Sequence, residues 1–203
     1  MTQPPIRRTL LAAGVVLGVS ALVTAAMLVD TKESIAILDG TQNRFDIVTM
    51  GSADPAWEPA AANWQQGNPE AYRIRLTQDD SPFVVSPGAS LDLKIAVKNA
   101  SPTLGGHLSL RVEDPNDRSA ERDPETNNYV DLFPALVFTV AEGGTVLINR
   151  VAGPDLQTVG LAGVVAPGEA RVLDVTVEVP EGLGNEWQLA ATDVQFRFDG
   201  ENS

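Results

Sequence analysis

Two Pro-Gly dipeptides each open a run of alternating residues, and this pair limits the fold more than anything else in the chain. After Pro87-Gly88, the residues Leu91, Leu93, Ile95 and Val97 fall on one face. Asp92, Lys94 and Lys98 fall on the other, with small Ala96 between them. After Pro167-Gly168, Leu173, Val175, Val177 and Val179 share one face, opposite Asp174, Thr176 and Glu178. A period of two with this contrast marks a strand with one face on a core and one in water. The two runs predict the central strands of one antiparallel β-sandwich.

The remaining chain supplies a head, further strands and loops. Residues 1–8 carry Arg7 and Arg8, and residues 9–29 form an uninterrupted apolar or small-residue run. Such a run can be a membrane-spanning helix. It can equally be a long signal h-region, with small Thr24, Ala25 and Ala26 at its end as the cleavage region. In both readings the arginines stay cytoplasmic and the chain beyond residue 29 lies outside. The domain plan is therefore 1–26 as signal peptide (or a retained anchor to about 29), 27–44 as an N-terminal segment, and 45–203 as the sandwich. Residues 51–70 read as a long surface loop pinned by Trp57 and Trp64, and 114–128 as a polar loop. Shorter strand-like stretches at 34–38, 45–48, 73–76, 107–113, 130–138, 145–148 and 194–198 bring the expectation to about nine strands, with Phe196 and Phe198 facing the core. No amphipathic helix interrupts them, so the fold class is all-β, a sandwich or jelly roll preceded by a signal or transmembrane helix.

Charge and composition exclude several functions. The net charge of −13 becomes −15 once Arg7 and Arg8 leave with the head. So acidic a domain is poorly suited to phosphate backbones or to anionic lipid, so neither nucleic acid nor a membrane surface is an expected partner. Membrane contact is expected only through residues 9–29, if uncleaved. There is no cysteine, and a domain of this size can rely on its core without disulfides. Zinc hydrolysis needs about three protein ligands and a carboxylate base. This chain has a single histidine, His107, on the polar face of an expected strand, and no His-Glu-x-x-His. Nor does any serine sit in a Gly-x-Ser-x-Gly elbow. No catalytic residue, metal site or cofactor is expected, and the chain reads as a non-enzyme. The acidic stretch 114–125, with Asp114, Asp117, Glu121, Asp123 and Glu125, could offer oxygens to calcium, but it lacks the EF-hand spacing and carries Arg118 and Arg122, so a solvated loop is the preferred reading. Trp57, Trp64 and Trp187 could form a carbohydrate platform, although packing of core and loops accounts for scattered aromatics more simply.

Several segments together resemble the TasA/camelysin-like family, whose members carry a SipW-type signal peptide. Ala25-Ala26-Met27-Leu28-Val29-Asp30-Thr31 is similar to the family's cleavage segment, with Met27 and Leu28 in place of an aromatic pair. Val85-Ser86-Pro87-Gly88 leading to Val97-Lys98-Asn99 resembles its first Pro-Gly strand. The run from Leu161 through Pro167-Gly168-Glu169 to Val179-Pro180 resembles its second. Asn185-Glu186-Trp187-Gln188 followed by Phe196-Arg197-Phe198 is similar to the segment before its last strand. The resemblance implies a secreted jelly-roll protein of the cell surface or biofilm matrix, processed by a dedicated signal peptidase. It also implies self-assembly into fibres by donor-strand exchange. The candidate donor is 28–38, through Leu28, Ile35, Ile37 and Leu38, with Ile35 and Ile37 entering the acceptor groove. The same residues can instead be an ordinary first strand, which leaves a monomeric, possibly tethered Ig-like adhesion or ligand-binding domain as the alternative.

Overall fold

The computed structural model describes residues 21–28, 45–54, 56–66, 72–75, 77–78, 81–82 and 86–202, with side-chain environments for 45–54, 56–66 and 86–202. Among the described residues twelve strands follow one another: β1 (Ala21–Leu28), β2 (Ile47–Ser52), β3 (Tyr72–Arg75), β4 (Thr77–Gln78), β5 (Ser81–Pro82), β6 (Ser90–Asn99), β7 (Gly106–Glu113), β8 (Val137–Glu142), β9 (Thr145–Ala152), β10 (Val159–Gly160), β11 (Ala170–Glu178) and β12 (Val194–Asn202). They form two five-stranded sheets, β2-β6-β11-β8-β9 and β10-β7-β12-β1-β3, with a small β4-β5 ribbon beside them. The protein is an all-β sandwich. Among the described residues helical structure is confined to single 3-10 turns at Phe133–Ala135, Gly153–Asp155 and Asn185–Trp187.

The Pro-Gly turns explain why β6 and β11 are the backbone of the first sheet. In each, the residue after the glycine donates to the residue before the proline, Ala89 to Ser86 at 2.9 Å and Glu169 to Ala166 at 3.0 Å. Gly88 and Gly168 have φ of +81° and +78°, so the turns are of type II, with proline pre-set at the second position and glycine at the third. The strands run antiparallel in unbroken register from Ala170 opposite Lys98 to Glu178 opposite Ser90. Each turn therefore docks on the end of the other strand: the Gly88 amide donates to Val179 O, and the Gly168 amide to Asn99 O.

The core lies between the sheets. Leu93, Ile95, Val97, Leu173, Val175, Val177 and Val179 face it from one side, with Phe138 and Val140 of β8. Leu108, Leu110, Val112, Val194, Phe196 and Phe198 face it from the other, while Leu91 is only partly buried at the rim. One polar side chain belongs to this interior by design of its contacts. Asn99 is fully buried; its amide donates to Leu104 O at 2.8 Å and Val165 O at 3.0 Å and accepts from the Ser101 amide at 2.9 Å. It straps the end of β6 to the turn before β7 and to the segment leading into β11.

Two expectations need correction. Ala96 was expected on the watered face, yet it is fully buried with its partner Met50, outside the main core cluster. The loop after β2 turns back beside them: Thr49 and Gln65 exchange backbone hydrogen bonds, and Lys98 lies over the Trp64 ring. The second correction concerns the apolar head. Residues 9–20 and 29 lie outside the described residues, but Ala21–Leu28 is a strand and not the end of a helix. A continuous apolar run has no period to distinguish the two, and Val23 and Thr24 are β-branched residues that suit a strand. No helix among the described residues is long and apolar enough to cross a membrane.

Candidate functional site

The site with the most unusual construction is the flank of β12. This strand alternates buried Val194, Phe196, Phe198 and Gly200 with half-buried Gln195, Arg197 and Asp199. Its one side is paired with β7 in ordinary antiparallel register, Gln195 opposite Glu113 through Asn202 opposite Gly106. Its other side is paired with β1 in parallel, from Leu22 opposite Val194 to Leu28 opposite Gly200. Every other strand pairing among the described residues is antiparallel. β3 then pairs with the first half of β1, Ala21 opposite Arg75 through Thr24 opposite Tyr72. β1 is thus a wedge without which β12 would present a row of unpaired amides and carbonyls.

The cleavage-region residues fall inside this wedge. Thr24, Ala25 and Ala26 lie opposite Phe196, Arg197 and Phe198, and Leu28 lies opposite Gly200. The other candidate donor residues, Ile35, Ile37 and Leu38, lie outside the described residues, as does most of the proposed donor segment. Gly200 marks the corner at which the domain proper begins. A Cβ at Gly106 would stand 2.5 Å from the Phe45 ring and 2.7 Å from Glu201 O, and one at Gly200 would collide with the same ring. Two glycines therefore form a slot that the Phe45 ring fills. Asp46 is fixed behind it, its amide donating to Ser101 Oγ at 2.8 Å and its carbonyl accepting from Ala100.

Elsewhere the structure separates residues that the sequence allowed to be grouped. Trp187 stacks on Tyr129 with ring centroids 4.0 Å apart, and the Arg122 guanidinium covers Tyr129 at 3.2 Å from its ring centroid. Trp64 instead lies under Lys98, and no ring contact joins the tryptophans among the described residues. Beside the Tyr129 stack is an open cavity of about 430 Å³ lined by Trp187, Leu183 and Leu189. His107 is exposed on β7 and lines a groove of about 500 Å³ with Ser109, Asp199 and Glu201. No hydrogen bond links His107 to Ser109, so the described side chains lack the nucleophile–base contact that acyl transfer uses. Among the described residues no group of three or more His, Asp or Glu is arranged to hold a metal.

The 114–128 stretch is a loop, as the sequence predicts, with its acids in different surroundings. Asp123 is partly exposed; the Thr126 amide, the Thr126 hydroxyl and the Glu125 amide hold its carboxyl below the usual range. Asp114 moves the opposite way. Burial raises it first, against the Asn116 amide, and the neighbouring Asp131 carboxylate raises it further. Asp131, only 2% exposed, has no role in the sequence reading, where it falls within the apolar stretch 130–138.

No protein-family model matches this sequence, and no match is found among curated proteins.

Proposed function

We propose that the chain is an exported, non-enzymatic subunit of a bacterial surface or matrix fibre, in which the N-terminal segment of one copy completes the sheet of the next. The supporting observation is the parallel wedge of β1 on β12. It is supplied by the extreme N-terminal part of the chain and satisfies an edge that the domain's own hairpins leave open. Processing at Thr24, Ala25 and Ala26 cuts through that wedge and removes most of it. The mature subunit then carries an open β12 flank and a free N-terminal segment rich in apolar residues, Leu28, Ile35, Ile37 and Leu38. Strand addition takes affinity from backbone hydrogen bonds and register from side-chain pockets. Donation from copy to copy does not close on itself, so it propagates as a filament.

The same pairing formed within one copy supports a second reading, a monomeric Ig-like adhesion or ligand-binding domain held together by its own first strand. Electron microscopy separates the two. Protein beginning at Met27 is expected to form filaments, and protein beginning at Phe45 is expected to remain dispersed. Monodisperse, folded particles in both samples would overturn the fibre reading in favour of the second. Filaments that survive Ile35→Asp with Ile37→Asp would rule out those residues as the donor.

A further inference from the structure

The molecule holds a second unexplained feature at the opposite end of β12 from the Phe45 slot, and it does not depend on how copies assemble. Asp114 follows the last residue of β7, and Asp131 precedes the 3-10 turn at Phe133. Each carboxylate has one oxygen engaged by its own chain: Asp114 Oδ1 accepts from the Asn116 amide at 2.8 Å, and Asp131 Oδ1 from the Phe133 amide at 3.0 Å. The second oxygen of Asp131 is buried and meets no donor; within hydrogen-bond reach of this side chain is another carboxyl group, Asp114, a contact that is favourable only with a proton or a cation between the two. The surroundings do not neutralise the pair. Asn116 Nδ2 holds a third acid nearby, donating to Asp193 Oδ2 at 3.1 Å. The guanidinium of Arg118 directs its Nη2 at the Ala191 carbonyl and makes no ion pair with either acid among the described residues. A buried carboxylate oxygen without a donor costs free energy unless something positive meets it.

We propose that Asp114 and Asp131 bind one hard divalent cation, calcium, where their two carboxyl groups meet. Calcium accepts six to eight oxygen ligands in flexible geometry, so main-chain carbonyls and water complete the shell around two carboxylates. With so few charged ligands the affinity falls in the weak class typical of extracellular modules, Kd on the order of 0.1–1 mM. Magnesium is disfavoured, because it demands near-ideal octahedral geometry and sheds its water reluctantly. The bound ion ties the end of β7 to the turn before β8, and so one sheet to the other. Of the acids in the 114–125 stretch only Asp114 takes part; Asp117, Glu121, Asp123 and Glu125 do not.

Thermal melting and calorimetric titration of the full chain, freed of metal with chelator and then given calcium chloride near pH 7.5, test the site. Calcium at about 10 mM is expected to raise Tm by on the order of 5 °C and to give a single-site isotherm. Asp114→Asn and Asp131→Asn are each expected to abolish both responses, whereas Glu121→Gln with Glu125→Gln leaves them intact. Asp114 is the less buried of the pair, so its variant serves if Asp131→Asn does not fold. No response of the unaltered chain to calcium would overturn the proposal, as would an undiminished response in Asp114→Asn. A Tm that rises on acidification to pH 5 without any calcium response would assign a shared proton to the pair, and equally sink the cation.

Discussion

The sheet centred on β6 and β11 and the sheet centred on β7 and β12 face the same core, but they are finished differently. The first draws all its strands from residues 47 to 178 and pairs them antiparallel throughout. Its two outer strands are also blunted: β2 by the backbone exchange between Thr49 and Gln65, and β9 by a break in register against β8 where Arg150 takes φ +50°. Such irregularities discourage edge-to-edge pairing. The second sheet ends on one side in the two-residue β10 and on the other depends on β1, delivered in parallel from the far N-terminus. One sheet is closed by its own hairpins; the other is completed by a strand drawn from residues 21–28. Assembly, if it uses either sheet, has a single flank to work with.

The largest effects test whether the core is common to both sheets. Phe138→Ala, on the closed sheet, and Phe196→Ala, beneath the β1 flank, each empty a fully buried ring position. Each is expected to cost about 3–5 kcal/mol in urea unfolding. The comparison sharpens if, in protein beginning at Phe45, Phe196→Ala loses distinctly less than Phe138→Ala, because the site has then already lost its cover. Asn99→Ala comes next, since it takes the side-chain partner from the Leu104 carbonyl and the Ser101 amide and leaves Val165 O with the Gly106 amide alone, and about 2–4 kcal/mol is expected from the same measurement. Removal of β1 is predicted to speed amide hydrogen exchange along β12 and to leave β6 and β11 unchanged. Equal acceleration in both sheets would break the distinction drawn here.

Smaller effects lie in the loops. Leu189 is 93% exposed at φ +69°, a conformation costly to a side chain and free to glycine. Leu189→Gly is therefore expected to raise stability by about 0.5–1 kcal/mol. For Asp123 the folded carboxyl is depressed. Its contribution is complete above the ordinary value of 3.8 and is lost as pH falls through the lower folded-state value. Thr126→Val should move its midpoint back up in an NMR titration, with no measurable change in global unfolding at pH 7.

The closed sheet was largely legible in the sequence, because Pro-Gly turns and strict alternation at Leu93, Ile95, Val97, Leu173, Val175 and Val177 specify position and facing together. What escaped has definite physical causes. Ala96 and Met50 are covered by a loop distant in sequence, which periodicity does not register. Asn99 is a polar residue whose burial depends on a partner 66 residues away, Val165 O, and Asp131 is a buried acid beside a second acid, Asp114, a pairing that no local pattern marks. The stack of Trp187 on Tyr129 joins two segments with no common pattern. Ala21–Leu28 was the hardest, because unbroken apolarity fits a helix, a leader and a buried strand alike.

The Phe45 slot has a mechanical meaning. Leu28 and Phe45 both meet Gly200, so the ends of the segment 29–44 lie at one corner of the domain, and that segment can reach at most about 55 Å when extended. In the proposed fibre, a pull on a donated segment would arrive at its own domain through Phe45, whose ring is wedged between Gly106, the first residue of β7, and Gly200 of β12. The ring is thus a cleat on which a leash is fastened. The strength of a chain of such subunits would be limited by how firmly Gly106 and Gly200 grip it, as much as by the strand that the leash delivers.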